Sequence, residues 1–584
     1  MSPGPALRRR ALLAGAAGSL AAASGCVGEL RNLAGRERHQ QLSLSIATVP
    51  ASQDVYATRV ANALSENLGR AGVDASVAPM APDVLLREVL VNHDYDVYVG
   101  RYPSEGDPDE LRTLLHSTYG EEAGWQNPFG FSSVEIDDRL AEQRAVGGEA
   151  RVGIVRDLQE RLVERQPFTV VAFADRIAAA RTDRFDGWPA GGPARPTDYL
   201  RVGLTGEERT LRPVTGDVRP TRNRNPIAVE HRDRSRVTDL LYEPLVRRPA
   251  GSPVPWLART VEWTEGPLTA TVTLRETPWH DGEPVALSDV AFTYAFLQDT
   301  SLGELDTPVP TPWRRGAVSL VEEATVEEDA VRIEFGTDSR EVAGRALGVP
   351  VLPEHVWRDH TGAADVAGID IVGGTTEALV RANEKPVGSG PLRFVSADPE
   401  QSLALERFES HFLYGEETED IPERFAGPPA FDRMEFTVAP SEDAATELLE
   451  AGEADVTADG LHARTVPRVS RSEPLSLVLA RATPFYMVGY NCRRPPLSNE
   501  RFRRVVARLL DRGFLVSSVF GGYADAAEAP LKGTWTPDAL TWDGTAELPF
   551  LGEGGDLDVE AARTAFREAG YQYDDDRLVT RGAG

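Results

Sequence analysis

His280 and Asp281 stand side by side, and an imidazole next to a carboxylate is the pairing that a general base or a metal site would use. The same residues open the tetrapeptide HDGE, and Asp-Gly is turn chemistry. His355 and His360 are five apart, which sends them to different faces of a helix. The nine histidines nowhere cluster at metal-ligand spacing. The chain carries no GxSxG elbow, no phosphate-binding GxxxxGK[ST] loop, no HExxH and no CxxC. Carboxylates number 91 against 62 lysines and arginines, so two acids lying close together say almost nothing about catalysis. No enzyme constellation emerges, and no cofactor or metal is expected.

The elements that would position a binding site follow from periodicity. Leu42 to Thr48 alternates as a strand does; Val60, Leu64, Leu68 and Ala71 then repeat at helical spacing, and AGVDASVAPM returns as a strand. YDVYVGRYPSEGDPDELRTLL reads as strand, Gly/Pro loop and helix start, and NPFGFSSVEIDDRLAEQR as a loop feeding a helix. A helix is predicted over 152–165, and Phe168 to Phe173 reads as a fully buried strand. Strands alternating with helices predict an α/β lobe with a largely parallel sheet. Further on, TATVTLR alternates as a half-buried strand, with Ser288-Asp289 placed as the N-cap of a helix that begins VAFTYAFL. At 584 residues there is room for two or three domains with sizeable cores.

A net charge of −29 disfavours nucleic acid or other phosphate partners. Only two lysines occur, Lys385 and Lys532, so nearly all positive charge is arginine. An acid-rich, lysine-poor surface suits molar salt, which screens its self-repulsion; a GC-rich genome favouring arginine codons is the alternative reading. Two cysteines, Cys26 and Cys492, cannot build a disulfide framework, and Cys492 reads as a small buried residue. Residues 1–26 read as a signal peptide: Arg8-Arg9-Arg10 precede the short apolar run ALLAGAAGSLAAASGC. The arginines resemble a twin-arginine export signal, and AASGC resembles a lipobox with Ala23 where leucine is usual. Lipidation of Cys26 is expected, with plain secretion or a retained anchor as the alternatives. Residues 27–40 read as a polar tether, and no other stretch is apolar enough to cross a bilayer.

The segment from 239 to 296 carries a resemblance. Tyr242-Glu243-Pro244-Leu245, Pro255, Leu257-Ala258, Trp263, Leu274-Arg275, Trp279 to Gly282, Pro284, Asp289-Val290 and Phe292-Thr293-Tyr294 fall in order on the pattern of the extracytoplasmic solute-binding proteins of family 5, the peptide-binding proteins of ABC importers. Leu352 to His355, Gly388 to Pro391, Gly452 to Asp455, Val488 to Arg512 and the closing AARTAFREAGYQYDDDRLV resemble later parts of that family. Residues 42–173 resemble its C-terminal portion, through Ala71-Gly72-Val73, Tyr95-Asp96, Asp107-Pro108, Gly130-Phe131 and Pro167. Tyr199 to Leu204 resembles its opening strand.

The order of segments implies a circular permutation, with WPAGGPARP as the joining loop. Fusion of an unrelated α/β domain to a truncated binding protein is the rival. The resemblance implies an α/β, two-lobed periplasmic-binding-protein-like fold of the class II (cluster C) type with an extra inserted subdomain. One lobe would comprise residues 176–240 and 385–484, the subdomain 241–384, and the second lobe 41–175 with 485–584.

The resemblance also implies the ligand site. Family members place a tryptophan and an amine-binding aspartate ahead of the Asp-Pro motif; here those positions hold Arg101 and Ser104, with Glu105 beside them and Asp107 in the motif. An arginine there would favour a ligand carboxylate or another anion; Arg101 pointing to solvent and Ser104 filling a turn are the alternatives. Tyr102 and Phe129 could stack on a ligand or pack in the core. Gly388, Ser389, Gly390, Tyr490 and Asn491 are further candidates, with turn geometry and strand capping as their structural alternatives. The expected function is a membrane-anchored, extracytoplasmic, monomeric lipoprotein that captures a peptide or similar small molecule and delivers it to ABC permease subunits. A ligand-sensing receptor, or a binder of sugars, anions or chelates, remains the alternative.

Overall fold

Phe485 to Tyr490 is a strand with every side chain buried, and both strands that flank it come from the first third of the chain. The computed structural model describes residues 40–580 apart from 230–236, 249–251, 365–373, 416–417 and 419. The signal-like run and Cys26 lie outside the described residues.

Phe485–Tyr490 sits inside a six-stranded sheet. Its order is Ala524–Ala526, Phe168–Ala174, Phe485–Tyr490, Val97–Tyr102, Ser43–Thr48, Asp74–Pro79. Alternation explains why the strand is buried throughout. Tyr486, Val488 and Tyr490 join a core with Ile46, Leu64, Phe502 and Phe566 on one face, while Phe485 and Met487 join Leu158, Phe168 and Leu531 on the other. Both cores therefore mix residues from before 175 with residues beyond 485. Helices Val55–Arg70, Gly148–Arg165 and Val559–Glu568 cover the faces.

The sheet is less parallel than predicted. Ser43–Thr48 pairs in parallel with both its neighbours, but Phe485–Tyr490 runs antiparallel to Val97–Tyr102 and to Phe168–Ala174. The reason is connectivity: Phe168–Ala174 leaves this sheet and Phe485–Tyr490 enters it from a second one. That second sheet has eight strands, among them Arg176–Arg181, Pro213–Thr215, Leu392–Asp398, Arg433–Val438 and Leu475–Ala480. Arg176–Arg181 and Leu475–Ala480 pair antiparallel, so a two-stranded ribbon crosses between the sheets and changes partners at 174–176 and 481–484.

A third, antiparallel sheet is built from Ala258–Thr264, Thr269–Leu274, Val331–Phe335 and Val321–Val326. Its core is continuous with that of the eight-stranded sheet through Leu241, Trp256, Trp279, Trp357 and Phe436. Asp289 is in the first turn of helix Leu287–Gln298 and not its N-cap; Ala286 holds that position. The Asp289 carboxylate accepts from Ala286 N at 2.8 Å, Trp279 Nε1 at 3.2 Å and Glu354 N at 2.9 Å, so one acid ties three of the family-like segments together. His280 is buried nearby with Nε2 3.0 Å from the Gly390 carbonyl, which makes it a packing residue and no half of a dyad. Tyr199 to Leu204 is not one strand: Tyr199 ends a short helix and only Gly203–Leu204 pairs, with Phe185–Asp186. Leu509 and Leu510 are buried just past the end of helix Glu500–Ala507.

Gly388 and Gly390 belong to this packing. A Cβ on Gly388 would stand 1.9 Å from the Leu241 carbonyl oxygen, and one on Gly390 2.2 Å from that of Leu240. Both obstacles are backbone, which cannot swing away. Gly388→Ala is expected to cost about 2–3 kcal/mol, read as a lowered midpoint in denaturant unfolding with an unchanged slope.

Candidate functional site

Between the six-stranded sheet, the eight-stranded sheet and the segment 312–350 lies a cavity of about 1310 Å³. Ordinary small-molecule pockets run roughly 300–1,000 Å³, so this one takes a ligand of several residues or a smaller one with water. The crossing ribbon closes one end, where Asp175, Arg481, Ala482 and Thr483 line it. Arg481 bridges Asp175 at 2.9 Å and Asp525 at 2.8 Å.

The loop after Val97–Tyr102 forms one wall. Arg101, Tyr102, Ser104, Glu105 and Asp107 all line the cavity. Arg101 is exposed on the strand position opposite Tyr486, and no carboxylate of the described residues lies within 4 Å of it. Tyr102 is 7% exposed and packs edge-on against Trp125, with ring centroids 5.2 Å apart. Gly106 takes a positive φ of 86°, which turns the loop back.

Ser104 does not stand alone. Its hydroxyl donates to Glu110 Oε2 at 2.9 Å, and the Glu105 amide donates to the same carboxyl group at 3.0 and 3.1 Å. Glu110 lines the cavity from the first turn of helix Glu110–Leu115. Burial first, then the neighbouring charge of Glu105, pushes its carboxyl up to about 8, against the pull of Arg345. Glu110 is the site residue that sequence reasoning missed. Nothing in its spacing distinguishes it in so acidic a chain; only the fold of the loop brings it behind Ser104.

The shift has a sign that can be tested. The folded protein holds a proton on Glu110 up to about pH 8, whereas the unfolded chain releases it at the ordinary glutamate value. Stability from this group is therefore complete at acid pH and is lost as pH rises toward 8. Glu110→Gln is expected to gain on the wild type between pH 5 and 8.5 by on the order of 2 kcal/mol, discounted because the side chain borders cleft water. Denaturant unfolding at the two pH values measures it.

The other sequence candidates do not face the cleft. Phe129 is fully buried against Phe168, 5.5 Å between ring centroids. The Tyr490 hydroxyl meets Thr169 Oγ1 at 2.7 Å inside the six-stranded sheet. Asn491 donates to the carbonyls of His93 and Tyr95, both at 2.9 Å, and so caps that strand. Gly388 and Gly390 pack on Leu240 and Leu241 as described above, and Ser389 between them is fully buried and does not line the cavity. Ring packing holds Phe129, a side-chain hydroxyl occupies Tyr490 and backbone carbonyls occupy Asn491, and none of the three lines the cavity.

The facing walls hold residues that no local motif announced: Trp313, Arg314 and Arg345 from one side, Glu442, Asp459 and His462 from the other. Arg314 stacks on Trp313 at 3.9 Å, and Glu442 is bonded by His462 and Thr465. Acids and arginines thus alternate around the cavity. Among the described residues no group of three or more His, Cys, Asp or Glu is arranged to hold a metal ion, and no helix is long and apolar enough to cross a membrane.

The family model for bacterial extracellular solute-binding proteins, family 5 (middle region), matches residues 252–582, more than half of the chain. The chain belongs to solute-binding protein family 5. This is a family of binding proteins and not of enzymes. Its relatives include the oligopeptide-binding protein AppA of Bacillus subtilis, 24% identical over 291 residues, 48% of this chain and 47% of AppA. The peptidoglycan-binding protein YepA of Agrobacterium fabrum is 26% identical over 384 residues, 58% of this chain and 57% of YepA. The chain spans about half the length of the curated relatives it matches. Among solved structures, Bacillus subtilis AppA in complex with a nonapeptide superposes with a TM-score of 0.50 at 20% identity, over 65% of this chain and 68% of that one. The family 5 protein thus carries a charged cavity between its six-stranded sheet, its eight-stranded sheet and the segment 312–350.

Proposed function

We propose that this family 5 protein captures a peptide or a similarly sized polar solute in the interlobe cavity and delivers it to the permease of an ABC importer. The observation that carries the reading is the cavity itself: large, ringed by acids and arginines, and flanked by the crossing ribbon on which two lobes would hinge. The peptide-binding names of its relatives support the ligand class. Within the cavity, Arg101 would take an anionic group of the ligand, and the Glu105 carboxylate, beside the Ser104–Glu110 pair, would take a cationic one, where the family-like pattern expects an aspartate. Tyr102 and Asp107 would shape and brace that wall. The protein would act as a monomer outside the cell membrane, held by a lipid on Cys26, in a cell that works in high salt.

The segment order is part of the proposal. A circular permutation of the family chain accounts for a family match that begins at residue 252, and for a sheet that interleaves residues 43–174 with 485–526. It also fits the pairing of Gln40–Gln41 with Arg577–Thr580, which sets the two ends of the described chain side by side. The inserted subdomain would be the unit around the four-stranded sheet.

Thermal unfolding in molar KCl with a panel of short peptides tests the ligand class. A ligand at about a hundred times its dissociation constant adds roughly 2.7 kcal/mol. A shift with free peptides that N-acetylation abolishes supports the acidic wall as an amine site. A shift only with sugars, anions or chelates would replace the peptide reading with a different solute.

A further inference from the structure

The cleft loop is fastened from across the cavity. Arg345 reaches over from the segment packed on the four-stranded sheet and bonds Asp109 Oδ2 at 2.7 Å, with Asp107 at 3.7 Å. Arg151, fully buried on the opposite lobe, reaches back to Glu341 at 2.7 Å. Arg315 makes a two-pronged pair with Glu122 at 3.0 and 3.1 Å. Beside them Arg144 donates to the Gly316 carbonyl at 2.9 Å, and Gly316 lies so close to Thr113 that a Cβ would stand 2.5 Å from its hydroxyl.

The charges are distributed so that either side can let go. Asp109 is fully buried, yet its own lobe already supplies Gln143 at 3.0 Å and Arg144 at 3.1 and 3.2 Å. Arg151 keeps Asp107 and Gln143, each at 3.1 Å, on its own lobe. Glu341 is 41% exposed and Glu122 30%, so water replaces their partners when the surfaces part. A buried charge stripped of every partner would cost several kcal/mol. Asp109 and Arg151 keep these partners, and Arg345, Glu341, Arg315 and Glu122 pass to water as the surfaces separate.

We infer that Arg345, Glu341 and Arg315 form a releasable latch with Asp109, Arg151 and Glu122. Arg345 is its positioning residue, fixing the loop Ser104–Glu110 in its ligand-facing shape only when the lobes are closed. The inference rests on the proposed reading of two lobes closing over a cleft, but it names what holds them and predicts behaviour that needs no ligand.

The test uses the secreted chain carrying spin labels at Glu66→Cys and Glu328→Cys, exposed positions on the two sides. Interlobe distances are read by pulsed electron resonance without added solute. Arg345→Gln is expected to lower the closed-to-open ratio about tenfold, and Arg315→Glu by a similar factor. Glu122→Arg combined with Arg315→Glu restores the pair in reverse and should return the wild-type distances. Glu122 and Arg315 are half-buried, and a circular dichroism melt confirms that these variants are folded. Unchanged distances in both single variants, or a reversed pair that opens further than either, would overturn the latch. Failure of the peptide panel with the latch intact would instead count against the proposed ligand and leave this inference standing.

Discussion

A chain that begins at residue 176 is expected to lose cooperative folding of the sheet around Phe485–Tyr490, the largest effect foreseen here. Both neighbours of that strand, Val97–Tyr102 and Phe168–Ala174, come from before the cut. The loss extends to buried charge. Arg503, 3% exposed, donates to the carbonyls of Gln166 and Arg165, both at 2.6 Å, and Arg512, 2% exposed, donates to that of Val170 at 2.9 Å. Without residues 40–175 Arg503 keeps only the Leu497 carbonyl at 2.6 Å and Arg512 only the Glu528 carboxylate at 3.6 Å, so most of their buried donors lose their acceptors, a cost of several kcal/mol on top of the lost core. Circular dichroism should show the 176–584 chain missing one of its melting transitions and binding a hydrophobic dye. Supplying residues 40–175 as a separate chain should restore both. A truncated chain that melts like the whole would show residues 40–175 to be a separable module, and the fusion reading would then replace the permutation.

What the sequence made legible is what short-range pattern encodes. Strand Phe168–Ala174 is a continuous apolar run, and helix Val55–Arg70 shows Val60, Leu64 and Leu68 on one face, so periodicity finds both. The mixed sense of the six-stranded sheet was hidden, because direction depends on where the crossing ribbon enters and no local residue records that. The site divides the same way. Arg101 to Asp107 could be named because one loop carries them all. Glu110 needs the loop to double back, and Arg345, more than two hundred residues away, needs the lobes to meet. Gly388, Tyr490 and Asn491 stand away from the cavity because recurring residue types at a family-like motif serve packing as readily as binding: Gly388 and Asn491 answer backbone carbonyls, and Tyr490 answers the Thr169 hydroxyl.

Glu243, inside the family-like run Tyr242 to Leu245, shows such a packing role at its strongest. It is fully buried, and Arg247 Nε at 2.8 Å and His411 Nε2 at 3.1 Å hold its carboxylate. Burial alone would raise its proton affinity, but Arg247 and His411 outweigh burial and keep the carboxyl below the ordinary glutamate range. Glu243→Ala leaves Arg247 with only the carbonyls of Asp239 at 2.8 Å and Tyr242 at 3.2 Å, and the face of Trp256 at 5.5 Å. The expected loss is about 3–5 kcal/mol, the cost of a buried charge whose partner is removed and not the worth of the pair. Pairing Glu243→Leu with Arg247→Met removes both charges together and should recover most of that loss. Because the native carboxyl is depressed, its stabilisation is present above the unfolded glutamate value and fades as pH falls through the folded one. The gap between wild type and Glu243→Ala should therefore narrow in acid, measured by denaturant unfolding at pH 7 and pH 4. A gap that stays constant would mean that Glu243 stabilises the core as a space-filling, hydrogen-bonded side chain whose charge contributes nothing.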